Sequence, residues 1–191
     1  MKQALRQSII AGRAALPQEL REQLSREITE RLLQLAAYRK AETVLGYMHF
    51  GAEFVSAPWL QQVLREGKRL LLPKVNPASR QLDVYIVEDI DTQLVPGAYG
   101  ILEPLAGQCV MLDRLEEAEF ILMPGVAFGR DGARLGYGGG FYDKLLARIH
   151  HQPALVAAAF TLQVVDDIPQ EATDRKVEWL VTENETLQCA A

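Results

Sequence analysis

The chain has 191 residues, enough for one domain or one compact pair of lobes, and at that length folding buries roughly 70% of the extended chain's surface. Its net charge of −5 argues against a general nucleic-acid surface, which needs a basic face, yet leaves room for a local basic pocket. Cys109 and Cys189 are too few and too far apart for a disulfide framework or a zinc site. With no secretory leader and no segment long enough to span a bilayer, a cytoplasmic protein without membrane or nucleic-acid partners is expected.

In chain order, residues 2–16 read as a helix with Ala4, Leu5, Ile9 and Ile10 on one stripe and Lys2, Arg6 and Arg13 among the polar positions. Pro17 ends it, and Leu20, Leu24, Ile28, Leu32 and Leu35 mark a second helix over about 18–37. Residues 43–49 read as a strand, followed by a loop holding Glu53 and by a helix with Ser56 as N-cap, stopped by Gly67. A carboxylate at a strand's carboxyl end lies where open α/β sheets bind ligands, although an ordinary surface loop acid has the same signature. Residues 68–73 and 82–87 read as further strands, with Lys74 as a solvated strand-end lysine. Residues 112–118 read as a short connecting helix or turn.

The most informative stretch is 119–148. Glu119-Phe-Ile-Leu-Met123 is an apolar run of buried-strand type, and Phe141, Leu145, Leu146 and Ile149 recur at helical spacing. Between them lie seven of the chain's 14 glycines, from Gly125 to Gly140. Glycine is entropically costly, so such a concentration needs a reason, and backbone amides curled round a phosphate at a helix N-terminus supply one. Arg134 adds a planar fork of donors, and Asp143 adds a carboxylate of the kind magnesium takes beside a phosphate. A dinucleotide fingerprint would need glycine at position 141, which is Phe141, and no Gly-Lys-Ser/Thr triplet of Walker type occurs. Beyond this unit, residues 154–160 read as a buried strand, His150-His151 as the end of the loop helix, and Val177 to Val181 as a last strand. Strands alternating with helices predict a three-layer α/β/α fold with a mostly parallel sheet, in one domain.

Pro124-Gly-Val-Ala-Phe128 and Gly132-Ala-Arg-Leu-Gly-Tyr-Gly-Gly-Gly-Phe-Tyr-Asp143 together resemble the signature of the 5-formyltetrahydrofolate cyclo-ligase (methenyltetrahydrofolate synthetase) family. The resemblance covers nearly the whole chain. It implies ATP-dependent cyclisation of 5-formyltetrahydrofolate, with or without a polyglutamate tail, to 5,10-methenyltetrahydrofolate, ADP and phosphate, through a phosphorylated formyl (iminium phosphate) intermediate. It also implies Mg2+ as the cofactor and small-molecule substrates, and a monomer is expected. By the same resemblance the opening segment Lys2, Gln3, Ala4, Leu5 and Arg6 contacts ATP, as do Arg134, Leu135, Gly136, Tyr137, Gly138, Gly139, Gly140, Phe141 and Tyr142. Met48, Glu53, Tyr137, Gly138, Gly139, Gly140 and Phe141 contact the folate, Asp143 and Asp174 hold the metal, and Arg134 is the catalytic candidate.

Three positions depart from the family's pattern. Gly139 stands where some members have lysine, Gly129 where aspartate is common, and Val55 where an acid is frequent. The Gly100-Ile-Leu-Glu-Pro104 element matches the family without a chemical role readable from its spacing. Two rival readings share the glycine loop. A nucleotide-binding module would not need Glu53 or Asp174, and a sugar-phosphate isomerase or acyl transferase on a similar fold would work without ATP.

Overall fold

The computed structural model describes residues 2–170 and 174–189. Helix α1 (Lys2–Ala15) and helix α2 (Gln18–Gln34) meet at Leu16-Pro17, where proline's fixed φ of −54° turns the chain. Leu35 is extended, so the periodicity expected to run to residue 37 crosses a break into a short helix α3 (Ala36–Lys40). Then come β1 (Thr43–Leu45), α4 (Ala57–Arg65), β2 (Arg69–Asn76) and β3 (Gln81–Val87). A small hairpin, β4 (Leu94–Pro96) and β5 (Leu102–Pro104), precedes β6 (Val110–Met111). After a 3-10 turn at Leu115–Glu117 follow β7 (Phe120–Leu122), β8 (Ala127–Gly129), β9 (Arg134–Leu135), α5 (Phe141–Leu146) and β10 (Ala154–Ala158). The chain closes with β11 (Val164–Val165), β12 (Trp179–Val181) and β13 (Thr186–Gln188).

Eight strands form the main sheet in the order β13-β12-β10-β7-β1-β2-β3-β6. The five from β12 to β2 run parallel, and antiparallel β13 and β3 flank them. Side chains alternate between the two faces of this sheet. Val44, Leu70, Leu72, Phe120 and Val156 pack with α2, α3 and α4, whereas Leu45, Leu71, Ile121 and Ala157 pack with α5 and its flanks. The fold is therefore the expected three-layer α/β/α arrangement. On the first face Tyr38, Trp59 and Phe120 are fully buried with ring centroids 5.8–5.9 Å apart. Such rings contribute roughly 1.5–3 kcal/mol each by burial alone.

Several expected boundaries shift. The strand expected over 43–49 stops at Leu45; Gly46, whose amide still donates to the Leu71 carbonyl at 2.9 Å, passes close under α4, where a Cβ would lie 2.4 Å from Leu60 Cδ2. Likewise β10 stops at Ala158, short of residue 160. Val177 to Val181 is neither all strand nor the last one, since β12 starts at Trp179 and β13 pairs back on it. Helix α5 ends before Ile149, so His150 and His151 lie beyond it, with His151 Nε2 2.7 Å from the Ala118 carbonyl oxygen. The larger correction concerns the glycine stretch. Between β7 and α5 the chain forms an antiparallel hairpin, β8 on β9, and Arg134 sits on a strand.

Strand order positions the site. From β1 the chain builds outward through β2, β3 and β6, then returns to β1's other side with β7 and builds the opposite way through β10 and β12. The switch point falls between β1 and β7. The segments leaving their carboxyl ends diverge there, which is where open α/β sheets bind ligands.

Candidate active site

The segment after β1 carries Met48 and Glu53, and the segment after β7 carries the hairpin and the loop Gly136–Gly140. A cleft of about 1370 Å³ opens between them. Its walls include Lys2, Arg6, Met48, Glu53, every residue from Arg134 to Asp143, and Asp174. Residues far apart in sequence thus converge on one cavity. Gln3, Ala4 and Leu5 do not line it; Ala4 and Gln3 are exposed, and Leu5 packs on the small core beneath α1. A separate polar basin of about 760 Å³ lies at the amino ends of the strands, around Thr43, Arg69 and Glu119. Its charges are engaged locally, as in the Arg69–Glu117 pair at 2.5 Å.

The orientation of α1 turns Lys2 and Arg6 toward the cleft. Positions 2, 6, 9 and 13 fall on one helical stripe, and that stripe faces inward, leaving Ile10 and Ala4 outside. Lys2 Nζ lies 3.3 Å from Asp174 Oδ2, and Arg6 Nε donates to the Gly136 carbonyl at 2.7 Å. Arg13 is only 3% exposed, and its Nη2 donates to Tyr137 Oη at 2.7 Å. Arg13 is a residue that spacing alone did not single out; its place on the Lys2–Arg6 stripe was the available signal.

Arg134 is held at the cleft floor. Nη1 donates to the Pro124 carbonyl at 3.2 Å and Nη2 to Asp143 Oδ1 at 2.6 Å, with the side chain 7% exposed. The phosphate-fork candidate and the metal-ligand candidate are thus already paired with each other. Gly140, with φ 64°, precedes α5, and Asp143 lies in that helix's first turn, where its charge suits the dipole. Asp174 is paired to Lys2 across the same cleft. Among the described residues no group of three or more metal-type side chains gathers in one place. Two cleft carboxylates nevertheless fit magnesium, which keeps most of its waters and takes few protein oxygens besides substrate phosphates.

Glu53 is 5% exposed and sits deeper than a surface loop acid. Its carboxylate accepts from the Phe50 amide at 2.8 Å and from the Tyr137 hydroxyl. Burial pushes its protonation toward higher pH, while the Tyr137 hydroxyl, the Phe50 amide and nearby Arg13 pull it back. Tyr142 also lines the cleft; burial raises its phenol, and its hydroxyl has no hydrogen-bond partner among the described residues. Ser56 precedes α4 as expected, but its hydroxyl does not cap the helix. It donates to the Tyr47 carbonyl at 2.7 Å and accepts from the His49 amide at 3.0 Å, tying the segment after β1 in place. His49, half-buried in the segment after β1, has its imidazole partly enclosed, which disfavours charging.

The element 100–104 gains a place. With Tyr99 it forms the far wall of the cleft, contributing Ile101, Leu102 and Glu103. Lys74, expected to be solvated, is half-buried: its Nζ donates to the Pro104 carbonyl at 3.0 Å and lies 3.8 Å from Glu103 Oε2, pinning this wall to β2.

Residues 1–183 match the model of the 5-formyltetrahydrofolate cyclo-ligase family. The chain is 30% identical over 171 residues to the 5-formyltetrahydrofolate cyclo-ligase of Escherichia coli K12, covering 89% of this chain and 93% of the relative. It is 29% identical over 174 residues to that of Haemophilus influenzae, covering 91% and 92%. Among solved structures, it is similar to the 5,10-methenyltetrahydrofolate synthetase of Aquifex aeolicus, with a TM-score of 0.84, 36% identity, and coverage of 98% of this chain and 92% of that one.

Proposed function

The chain belongs to the 5-formyltetrahydrofolate cyclo-ligase family, and from that premise we propose that the cleft at the switch point is where ATP and folate meet. The enzyme carries out the ATP-dependent cyclisation of 5-formyltetrahydrofolate to 5,10-methenyltetrahydrofolate. The observation that carries the site assignment is the convergence of Lys2, Arg6, Glu53, Arg134, Asp143 and Asp174 on one cavity.

A formamide oxygen is a poor leaving group. In the proposed course it attacks the γ-phosphorus of ATP, the bond to ADP breaks, and an iminium phosphate results. The folate's own N10 then attacks the activated carbon and releases its proton to solvent, and phosphate leaves with the former formamide oxygen. Phosphoryl transfer of this kind needs positioning and charge neutralisation rather than a protein nucleophile. Arg6 and Lys2 bring positive charge from α1, the loop Gly136–Gly140 offers backbone amides, and Arg134 offers its fork at the floor. Gly139 leaves the loop without a cation of its own, so α1 and Arg134 supply that charge. Glu53 meets the pterin on the opposite side, beside Met48. Asp143 and Asp174 would hold magnesium, whose contribution is to neutralise phosphate charge. A monomer in the cytoplasm, acting on mono- or polyglutamylated folate, completes the proposal.

Purified protein is expected to form the methenyl product, followed by its absorbance, only when ATP and magnesium are both supplied. Turnover undiminished without ATP would refute the reading. The metal assignment has a cleaner probe in Asp174→Asn than in Asp143→Asn, because Asp143 also holds Arg134. Asp174→Asn is expected to raise the magnesium concentration for half-maximal turnover several-fold. Since the Lys2–Asp174 pair is more than a quarter exposed on each side, its loss costs at most about 1 kcal/mol of stability. An unchanged magnesium titration would remove Asp174 from the metal site.

A further inference from the structure

Behind the folate side of the cleft lies a buried charge that the reaction does not use directly. Arg13 does not line the cavity, yet it is almost entirely enclosed. A guanidinium cannot shed its charge, so enclosing it costs energy unless it is matched. It is met in part through Tyr137: Nη2 donates to the hydroxyl at 2.7 Å and the guanidinium carbon stands 5.8 Å from the ring centroid, within cation–π range, while Nε has no hydrogen-bond partner among the described residues and the opposing charge nearby is Glu53. The same hydroxyl donates its own proton to Glu53 Oε1. Three residues separated by 40 and 84 positions, on α1, the segment after β1 and the glycine loop, thus form one relay.

We propose that Arg13 is a positioning residue for the folate: from behind the cleft wall it fixes the Tyr137 hydroxyl against Glu53, and so sets where that carboxylate meets the pterin. The inference rests on the reading of Glu53 as folate-facing. The direction of the relay is chemically determined. Arg13 has only donors, so the tyrosine oxygen must accept from it, and the tyrosine proton is left to point at the carboxylate. A tyrosine held by a cation is a stronger donor, and it stabilises the charged form of a carboxylate in an enclosed site. The other groups facing Glu53 do not replace this support. Tyr47 and Tyr142 are neutral phenols, and the Phe50 amide occupies the second carboxylate oxygen. Burial drives Glu53 toward its protonated form, and the relay opposes that drive.

The test is a double-mutant cycle on the dissociation constant for 5-formyltetrahydrofolate, measured by calorimetry across pH, with a non-hydrolysable ATP analogue measured in parallel. Glu53→Gln is the reference and is expected to weaken folate binding. If it does not, the folate reading of Glu53 fails, whatever Arg13 does. Arg13→Gln and Tyr137→Phe are each expected to weaken folate binding roughly tenfold, about 1.4 kcal/mol, and the double variant little more than either single one. Losing Arg13 makes the carboxylate harder to charge, so the pH below which folate affinity falls should rise relative to the parent. Affinity of Arg13→Gln for the ATP analogue should stay within about twofold. Equal costs of Arg13→Gln with and without the tyrosine hydroxyl, or an unmoved acid limb, would overturn the proposal while leaving Glu53 in place. If Arg13→Gln does not fold, Tyr137→Phe alone decides: Tyr137 is 46% exposed and its removal is tolerable, and an unmoved acid limb in that variant also overturns the relay.

Discussion

Arg134→Lys is expected to lower kcat by about 30-fold to 1,000-fold, the equivalent of roughly 2–4 kcal/mol of transition-state stabilisation. The guanidinium reaches the cleft floor already clamped, one nitrogen on the Pro124 carbonyl and the other on Asp143. That clamp holds the plane of the fork in a fixed direction before substrate arrives, and preorganisation of this sort is what charge-stabilising donors contribute to a reaction. An ammonium keeps the charge but has no plane and cannot hold both partners in the same geometry. A residue that only anchored nucleotide would lose KM for ATP on such a change, whereas one that meets charge developing on the transferring phosphoryl loses kcat. Steady-state kinetics on a variant checked by circular dichroism separates the two. A folded variant with the parent's kcat would reduce Arg134 to a structural tie between β9, α5 and the start of the glycine stretch.

The second large effect is on stability. Gly132→Ala is expected to destabilise the protein by about 2–4 kcal/mol and to lower Tm by roughly 5–15 °C. Gly132 has φ of +86°, which an alanine adopts only under strain, and a Cβ there would stand 2.3 Å from the Val177 carbonyl oxygen. The neighbour cannot simply step aside. Val177 is fixed to the same residue by its amide, which donates to the Gly132 carbonyl at 2.9 Å. The tip of the β8–β9 hairpin is therefore locked against the approach to β12. Gly51→Ala supplies the comparison, because Gly51 also has positive φ, +57°, but nothing within 4 Å of its would-be Cβ. Its cost should be confined to backbone strain, about 1 kcal/mol. Equal shifts in the two variants, read by thermal unfolding, would show that the contact with Val177 contributes nothing.

Residue patterns revealed the frame and about half of the site. The alternating strand and helix signals led to the correct layers; Asp143 was readable from its place in the first turn of the helix after the glycine loop, and Glu53 from its place just past a strand together with the family resemblance. What escaped has physical causes. Strands β8 and β9 are two or three residues long, too short for a period of two to register, and their glycines look like phosphate-loop glycines although Gly129 and Gly132 belong to a hairpin. β13 is likewise only three residues, with an exposed, intermediate and exposed pattern. The face of α1 was only partly readable, because Leu5 and Ile9 pack inward while Ile10 is outside and Arg13 is inside. No local rule can place a buried arginine whose partner lies 124 positions away.

That inward stripe on α1 bears on how the molecule comes into being. The helix is made before the other described elements, yet its polar anchors lie far downstream, Gly136 and Tyr137 in the glycine stretch and Asp174 beyond it. At 5–20 residues per second, about 7–26 s of synthesis separate Arg6 from the carbonyl it will hold. Through that interval α1 has nothing native to dock on, because the small core beneath it is built from residues 126–168. Contacts of such sequence separation form late, after the entropy of closing the chain has been met. The α1 side of the cleft is thus completed only after the glycine stretch has been made. On the reading proposed for the cleft, nucleotide binding therefore depends on ties from Lys2 and Arg6 to residues 172 and 130 positions downstream.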